Sequence, residues 1–232
     1  MREPAAEVRS EPLFLAGAIA ALVTLVMTIV PLALVFSVPQ PPLSGGAELL
    51  RYIGSNKAVY ILELATFAGL GLPALVVFLS LAVALKDRDR TLAVVGGVIG
   101  VGSEIIALAV NSSPPSLHAG LVVLSDQFAA AATEAGRAAL AAAADGLMAI
   151  ANTVTPAGIM TALAILLLSI AMVRGPFPKW FAWVGVVTGA LGAFSEALRN
   201  LIGAAYALYG LLLLVWFAGV GLVLFRLSRT GP

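Results

Sequence analysis

The chain has no cysteine and a single histidine, His118. These two shortages exclude a good deal of chemistry. Disulfides, thiol catalysis, iron–sulfur ligation and thiolate zinc sites all need cysteine. A haem held by two histidines, or a zinc ion held by three, needs more imidazoles than one chain supplies. Charge is scarce as well, at 11% of 232 residues against roughly 25% in soluble domains. The net charge is +1 with no extended basic run, which argues against nucleic acid as a partner. The glycine-rich stretch at 96–102 has no strand before it and no lysine after it, so it is not a phosphate-binding loop. There is no Gly-x-Ser-x-Gly elbow and no intramembrane protease motif. No metal site and no cofactor is expected.

What the chain has in excess is apolar surface. Hydrophobic residues make up 61% of it, and the mean hydropathy is +1.05. A soluble domain of this size leaves too much of its surface in water to hide that excess. Lipid is the expected solvent, and the bilayer the first expected partner.

A membrane span needs about 20 predominantly apolar residues. Six such segments are predicted, in one membrane domain covering 1–232: about 13–38, 57–85, 91–110, 156–173, 179–200 and 204–227. The fold class is therefore all-α, a six-transmembrane-helix bundle. Pro31 predicts a kink in the first span, and Gly69, Gly71 and Pro73 a bend in the second. A short amphipathic turn, 47–53, precedes the second span. The first segment reads as a retained helix, not a cleaved signal. Its leader mixes Glu3, Glu7 and Glu11 with Arg2 and Arg9, and the apolar stretch behind it is about 25 residues, beyond the 7–15 of a signal peptide.

Residues 114–153 are too polar and too interrupted to span. Two surface helices, about 115–131 and 134–151, are predicted as an amphipathic hairpin between the third and fourth spans. Ser113 at N-cap with Pro114 at N1 predicts where the first begins, and Thr133 caps the second. His118 near Ser116 and Asp126 invites a hydrolase reading, but a lone histidine on an alanine-rich helix is expected to be solvated or capping.

Orientation follows lysine and arginine placement. With the N-terminus inside, nine of the thirteen (Arg2, Arg9, Lys86, Arg88, Arg90, Arg174, Lys179, Arg226, Arg229) lie on the cytoplasmic side. Arg51, Lys57, Arg137 and Arg199 lie outside, so both termini are expected in the cytoplasm and the hairpin outside. Trp180 and Trp183 would mark the inner interface, and Tyr52, Tyr60, Tyr206 and Tyr209 the outer one.

Four ionisable residues fall within spans: Glu63, Glu104, Glu196 and Arg199. Charged groups in lipid are costly and face the bundle interior or a cavity. Helix rise puts all four in the outer half of a layer ~30 Å thick or at its edge. Gly96, Gly100 and Glu104 share one stripe, as do Gly192 and Glu196, and glycine stripes mark close helix contact in lipid. Glu196 and Arg199, at i and i+3, can pair. The predicted binding pocket thus contains Glu63, Glu104, Glu196 and Arg199, walled by the second, third and fifth spans and lidded by the hairpin. Three carboxylates against one arginine suit a cationic ligand or a bound proton. The competing reading is a closed ion-pair network that fixes bundle register.

Several short runs resemble a group of bacterial multi-pass membrane proteins, the domain-of-unknown-function family numbered four-three-eight-six and its relatives. They are Glu48-Leu49-Leu50-Arg51-Tyr52-Ile53, Leu124-Ser125-Asp126-Gln127-Phe128, Phe177-Pro178-Lys179-Trp180 and Tyr206-Ala207-Leu208-Tyr209-Gly210. The resemblance implies a six-helix bundle in a bacterial or archaeal plasma membrane, and no activity. Three functions compete. The favoured one is a non-enzymatic bundle that binds a ligand or handles a small solute through an outward pocket. The second is an accessory or assembly subunit whose glycine stripes meet partner membrane helices. The third is an intramembrane enzyme acting on a lipid, which lacks a nucleophile–base pair or an aspartate-rich metal motif.

Overall fold

The computed structural model describes residues 11–110, 112–113, 117–151, 156–202 and 205–230. Apart from one two-residue ladder, every regular element among them is helical. Four helical stretches are long and apolar enough to cross a membrane: Glu11–Val30, Lys57–Leu85, Arg90–Ala109 and Tyr206–Thr230.

The first helix, α1 (Glu11–Ser37), runs unbroken through Pro31. The short α2 (Gly46–Ser55) buries Leu49, Leu50 and Ile53 and exposes Glu48 and Arg51, an amphipathic pattern with helical period. Asn56 closes it with both backbone and side-chain N–H donating to Tyr52 O, and its own carbonyl accepts the first bond of the next helix. The stretch from Lys57 to Leu85 is divided into α3 (Lys57–Gly69) and α4 (Gly71–Leu85) at Leu70. Pro73 lacks the N–H that would bond the Gly69 carbonyl, so a break here is expected.

After α5 (Arg90–Val110), Ser112–Ser113 and Leu117–His118 form an antiparallel pair, β1 and β2. The predicted helix start at Ser113-Pro114 is thereby corrected, since Ser113 is in the ladder and α6 (Ala119–Ala130) begins six residues later. The reason is tertiary: the Tyr60 hydroxyl of α3 accepts the His118 N–H at 3.1 Å and holds that residue extended. His118 is itself the N-cap, its Nδ1 accepting the Gly120 N–H at 3.0 Å. Burial lowers the pKa of this imidazole, which favours the neutral, accepting form. Next comes α7 (Glu134–Ala151), where Thr133 Oγ1 accepts the Gly136 N–H at 3.1 Å. The chain continues through α8 (Pro156–Met172), α9 (Lys179–Ala197), the single turn α10 (Arg199–Ile202) and α11 (Tyr206–Thr230). The break predicted at Gly203 lies outside the described residues.

Six elements close into a ring. In order around it, α1 packs on α4, α4 on α5, α5 on α8, α8 on α9, α9 on α11, and α11 back on α1. Small residues permit the close approaches: a Cβ at Gly189 would stand 2.4 Å from the backbone nitrogen of Leu166, and one at Gly100 2.5 Å from Phe78. One half of the ring is filled by Phe78, Leu81, Leu85, Leu168, Phe181, Trp216 and Leu224, all buried. Within it the Trp216 indole N–H donates to Ser169 Oγ at 3.1 Å, which spares a donor that would cost about 1–3 kcal/mol if left unpaired. At this end the 86–89 and 173–178 connections meet, with Arg174 3.3 Å from Asp89.

At the opposite end α2, α6 and α7 form a separate layer, the cap. Its core is Leu49, Leu50, Ile53, Tyr60, Leu117, Leu121, Ala144 and Met148. Hydrogen bonds stitch it together: Gly46 N–H to Asp145 Oδ1 at 2.6 Å, and Ser125 Oγ to Leu50 O at 2.8 Å. The Lys57 ammonium reaches both Asp126 oxygens at 2.7 Å.

Candidate functional site

Between the aromatic filling of the ring and the cap end lies a cavity of about 340 Å³. Its walls come from α1, α3, α4, α5, α8, α9, α10 and α11, and most of its surface is alanine, leucine, glycine and phenylalanine. Phe217 contributes to the lining, and it stacks edge-on against buried Trp216 with ring centroids 5.1 Å apart. Into this apolar space project Glu104, Glu196 and Arg199.

Local sequence explains how each charge arrives there. Gly71 lets α4 approach α5 beside Glu104, since a Cβ would be 2.8 Å from Leu108 and 3.2 Å from the Glu104 carbonyl oxygen. Gly158 does the same for Glu196. A Cβ there would overlap the carboxylate, 2.3 Å from Oε2, so only glycine leaves room for that side chain against α8. The end of α9 at Leu198 and the fresh turn of α10 bring Arg199 back over Glu196.

The two acidic groups have different surroundings. Glu196, 4% exposed, belongs to a closed triad. Arg199 Nη2 donates to Glu196 Oε2 at 2.6 Å and to the Tyr206 hydroxyl at 3.2 Å, while that hydroxyl donates to Glu196 Oε1 at 2.6 Å. Both carboxylate oxygens, the tyrosine proton and both Nη2 hydrogens are thus committed. The Tyr206 ring also lies under the guanidinium, 5.2 Å from Cζ to its centroid. Arg199 Nε and Nη1 are sealed from solvent with no hydrogen-bond partner among the described residues.

Glu104, 7% exposed, has no ion pair among the described residues. Among the described residues two hydroxyls reach it, both on the same oxygen: Thr161 Oγ1 at 3.1 Å and Ser103 Oγ at 3.5 Å from Oε1. Ser103 lies 2.7 Å from the Gly100 carbonyl, the better acceptor geometry, and Thr161 divides a single proton between Ser103 and Glu104.

Of the four predicted pocket residues, three therefore share one cavity. Glu63 does not line it. It is buried on α3 with Tyr60 and Thr66, near enough to Tyr52 that its charge adds to burial in raising that phenol's pKa. Nor do α6 and α7 cover the cavity: none of its described lining residues comes from either, so the expected lid is instead a layer over α2 and α3. Residues that sequence reasoning passed over complete the site. Tyr206 and Tyr209, read as interfacial aromatics, line it, and Tyr209 is buried. Thr161 was signalled by being one of only two hydroxyl residues after the helix start in an otherwise apolar α8, the other being Ser169. Thr24 and Thr28 of α1 complete the polar part, with their hydroxyls bonded to Ala20 O and Thr24 O. A second hollow, between α2, α6 and α7, is lined by Arg51, Arg137, Glu134 and Phe128. No group of three or more potential metal ligands occurs among the described residues. No protein family, no characterised protein and no solved structure matches this chain.

Proposed function

We propose that the chain is a multi-pass protein of a bacterial or archaeal plasma membrane that holds a small ligand in the cavity at Glu104, without converting it chemically. The observation that carries this reading is the cavity itself. A space of about 340 Å³ lies inside the ring, mostly apolar, with a few convergent polar groups. Ligand sites are typically apolar, concave and sparsely polar in this way. The ring beneath is packed with large side chains, which favours a dead-end pocket over an open pore.

Six crossings are the natural extension of the four long apolar stretches. Helices α8 and α9, at 17 and 19 residues, lie between α5 and α11 in the same ring. At 1.5 Å per residue they are about 25–29 Å long, close to the ~30 Å hydrocarbon layer. The charge bias puts the cap outside and both termini in the cytoplasm. Because the chain has no native cysteine, single introduced thiols report sidedness cleanly. Ser55→Cys should react with an impermeant maleimide on intact cells, and Arg88→Cys only after permeabilisation; the reverse pattern would invert the topology.

Binding is tested by thermal stabilisation in detergent, because a ligand that binds only the folded chain raises its melting temperature. Gly210→Phe supplies the control. A Cβ at Gly210 meets nothing within 4 Å and the residue lines the cavity, so a larger side chain fills the space without displacing the fold. Stabilising compounds should lose their effect in this variant. A panel whose stabilisation is identical in wild type and Gly210→Phe places binding elsewhere and refutes the reading.

A further inference from the structure

Resting on the ligand-binding reading, we propose that the ligand is a lipophilic ammonium, a protonated amine on an apolar body, with its nitrogen seated against Glu104.

The argument begins with which charges are still available. Arg199 is not: Nη2 has spent both hydrogens on Glu196 and Tyr206, and Nε and Nη1 are buried out of reach. An anionic ligand would find no accessible donor there, because the unpartnered Nε and Nη1 are buried, and Glu104 would repel it. Glu196 is equally unavailable, since both of its oxygens are occupied by Arg199 and Tyr206. Among the described residues, that leaves Glu104 as the cavity's carboxylate without a cation, its hydroxyl contacts confined to Oε1. A buried carboxylate in a mostly apolar chamber is completed best by a partner that brings both a positive charge and N–H donors.

The remaining lining decides between an inorganic and an organic cation. Calcium takes six to eight oxygen ligands, and magnesium needs a near-ideal octahedron. Here Glu104 is joined by the Thr24, Thr28 and Thr161 hydroxyls, each already donating within the protein. The closed triad of Glu196, Arg199 and Tyr206 also lines the chamber, and its guanidinium opposes a metal ion. Most of the remaining lining is apolar, with Phe67, Ala74, Leu213, Leu214 and Phe217 among it. Such walls favour a ligand with a hydrocarbon body, because its apolar surface leaves water on binding. Tyr209 and Phe67 also line the chamber, and aromatic rings attract alkylated ammonium groups.

The test uses three probes with one body and different heads, measured by thermal shift and by calorimetry on the full chain in detergent: 1-adamantylammonium, 1-adamantanol and 1-adamantanecarboxylate. The ammonium is expected to bind at least tenfold more tightly than the alcohol, and the carboxylate not at all. Glu104→Gln should bring the ammonium down to the level of the alcohol, and Gly210→Phe should abolish binding of both. Equal affinity of alcohol and ammonium for the wild type would overturn the ammonium proposal while leaving a ligand cavity standing. No binding of any probe to wild type would overturn the proposal, and an unselective metabolite panel that then also failed to discriminate wild type from Gly210→Phe would remove the cavity reading with it. Because the head-group comparison is made on the unmodified chain, it stands even if Glu104→Gln fails to fold.

Discussion

The ring and the cap bury their apolar side chains by opposite rules. In the cap, α2 turns Leu49, Leu50 and Ile53 inward and leaves Glu48 and Arg51 outside, the ordinary arrangement in water. The ring is apolar on both faces. Its interior holds Phe78, Trp216 and Leu224, while its exterior displays Val98 at 67% exposure, Phe194 at 70% and Leu222 at 63%. Isolated exposed apolar residues are ordinary, but an apolar belt repeated on α1, α5, α9 and α11 is not. This contrast is what two different media around one chain would produce, and four helical stretches of the ring and α3 are long and apolar enough to cross a membrane. It also divides the forces: in the cap, hydrophobic burial drives association, whereas in lipid, close packing and interhelical hydrogen bonds must hold helices together.

The largest expected effect breaks that contrast at its glycines. Gly189→Leu forces a side chain against the backbone of Leu166, where even a Cβ would stand 2.4 Å away, so α9 must part from α8. Overpacking of this kind is expected to cost about 3 kcal/mol or more and to lower the melting temperature of the purified chain sharply. Gly146→Ala on α7 meets nothing within 4 Å and should be neutral or stabilising by up to about 1 kcal/mol, since alanine is the better helix former. If the two substitutions have equal effects, tight packing is not what holds the ring.

Next in size is the closed triad. Glu196→Gln leaves the Arg199 guanidinium buried with no counter-charge, a change that costs about 3–5 kcal/mol at buried pairs. The same substitution at Glu104 strands no protein cation and should destabilise far less, or stabilise. Melting of both variants in one detergent decides the matter, and the double variant Glu196→Gln, Arg199→Met should recover much of the loss by removing the orphaned charge. Equal losses at Glu104 and Glu196 would mean that Glu104 has a structural partner of its own.

Much of this was legible in the sequence, for physical reasons that also explain what was not. Hydropathy and helix-breaking residues are local, so the helices and the break between Gly69 and Gly71 could be anticipated. The i, i+4 stripes also pointed Glu104 and Glu196 inward, because small residues allow contact only on the face they occupy. Glu63 is buried as expected of a charge within a span, but it lies off the cavity's lining, and its neighbours Thr66, Phe67, Leu70 and Gly71 gave no single small-residue stripe to fix its direction. The start of α6 was missed because a Ser-Pro signal is local and the bond from His118 to Tyr60 spans 58 residues. Tyr206 was read as an interfacial anchor; only the turn of chain at Leu198 brings it beside Glu196.

A smaller effect sharpens the comparison from the side of the cap. Gly45, at the N-cap of α2, has no side chain with which to cap the helix, and Asp145 of α7 supplies the missing acceptor for the Gly46 N–H. The carboxylate also meets the positive end of the helix dipole. Asp145→Ala should therefore cost about 1.5–3 kcal/mol locally, seen as faster amide exchange at Leu49 and Leu50. Exchange within α8 and α9 should stay unchanged, because those helices belong to a separate cluster of buried side chains. Loosening that spreads to α8 would show the cap and the ring to be one cooperative unit.

The smallest effect is a dependence on pH at the start of α6. Here the neutral form of His118 is the one that caps, because Nδ1 must be unprotonated to accept the Gly120 N–H. Folding lowers the imidazole's pKa below its ordinary 6.5, so the unfolded segment takes up a proton more readily than the folded one. The stabilisation is fully present above about pH 6.5 and is lost as pH falls from there through the lowered folded value. Protonation would also set a positive charge at the positive end of α6. Amide exchange at Gly120 and Leu121, corrected for its intrinsic pH dependence, should thus accelerate on acidification, by no more than the roughly 0.5–2 kcal/mol that an N-cap contributes. His118→Asn caps through an amide that does not titrate in this range, so the same measurement should then be flat. A flat profile already in the wild type would mean that the ladder and the Tyr60 hydroxyl, and not the imidazole, hold this helix start.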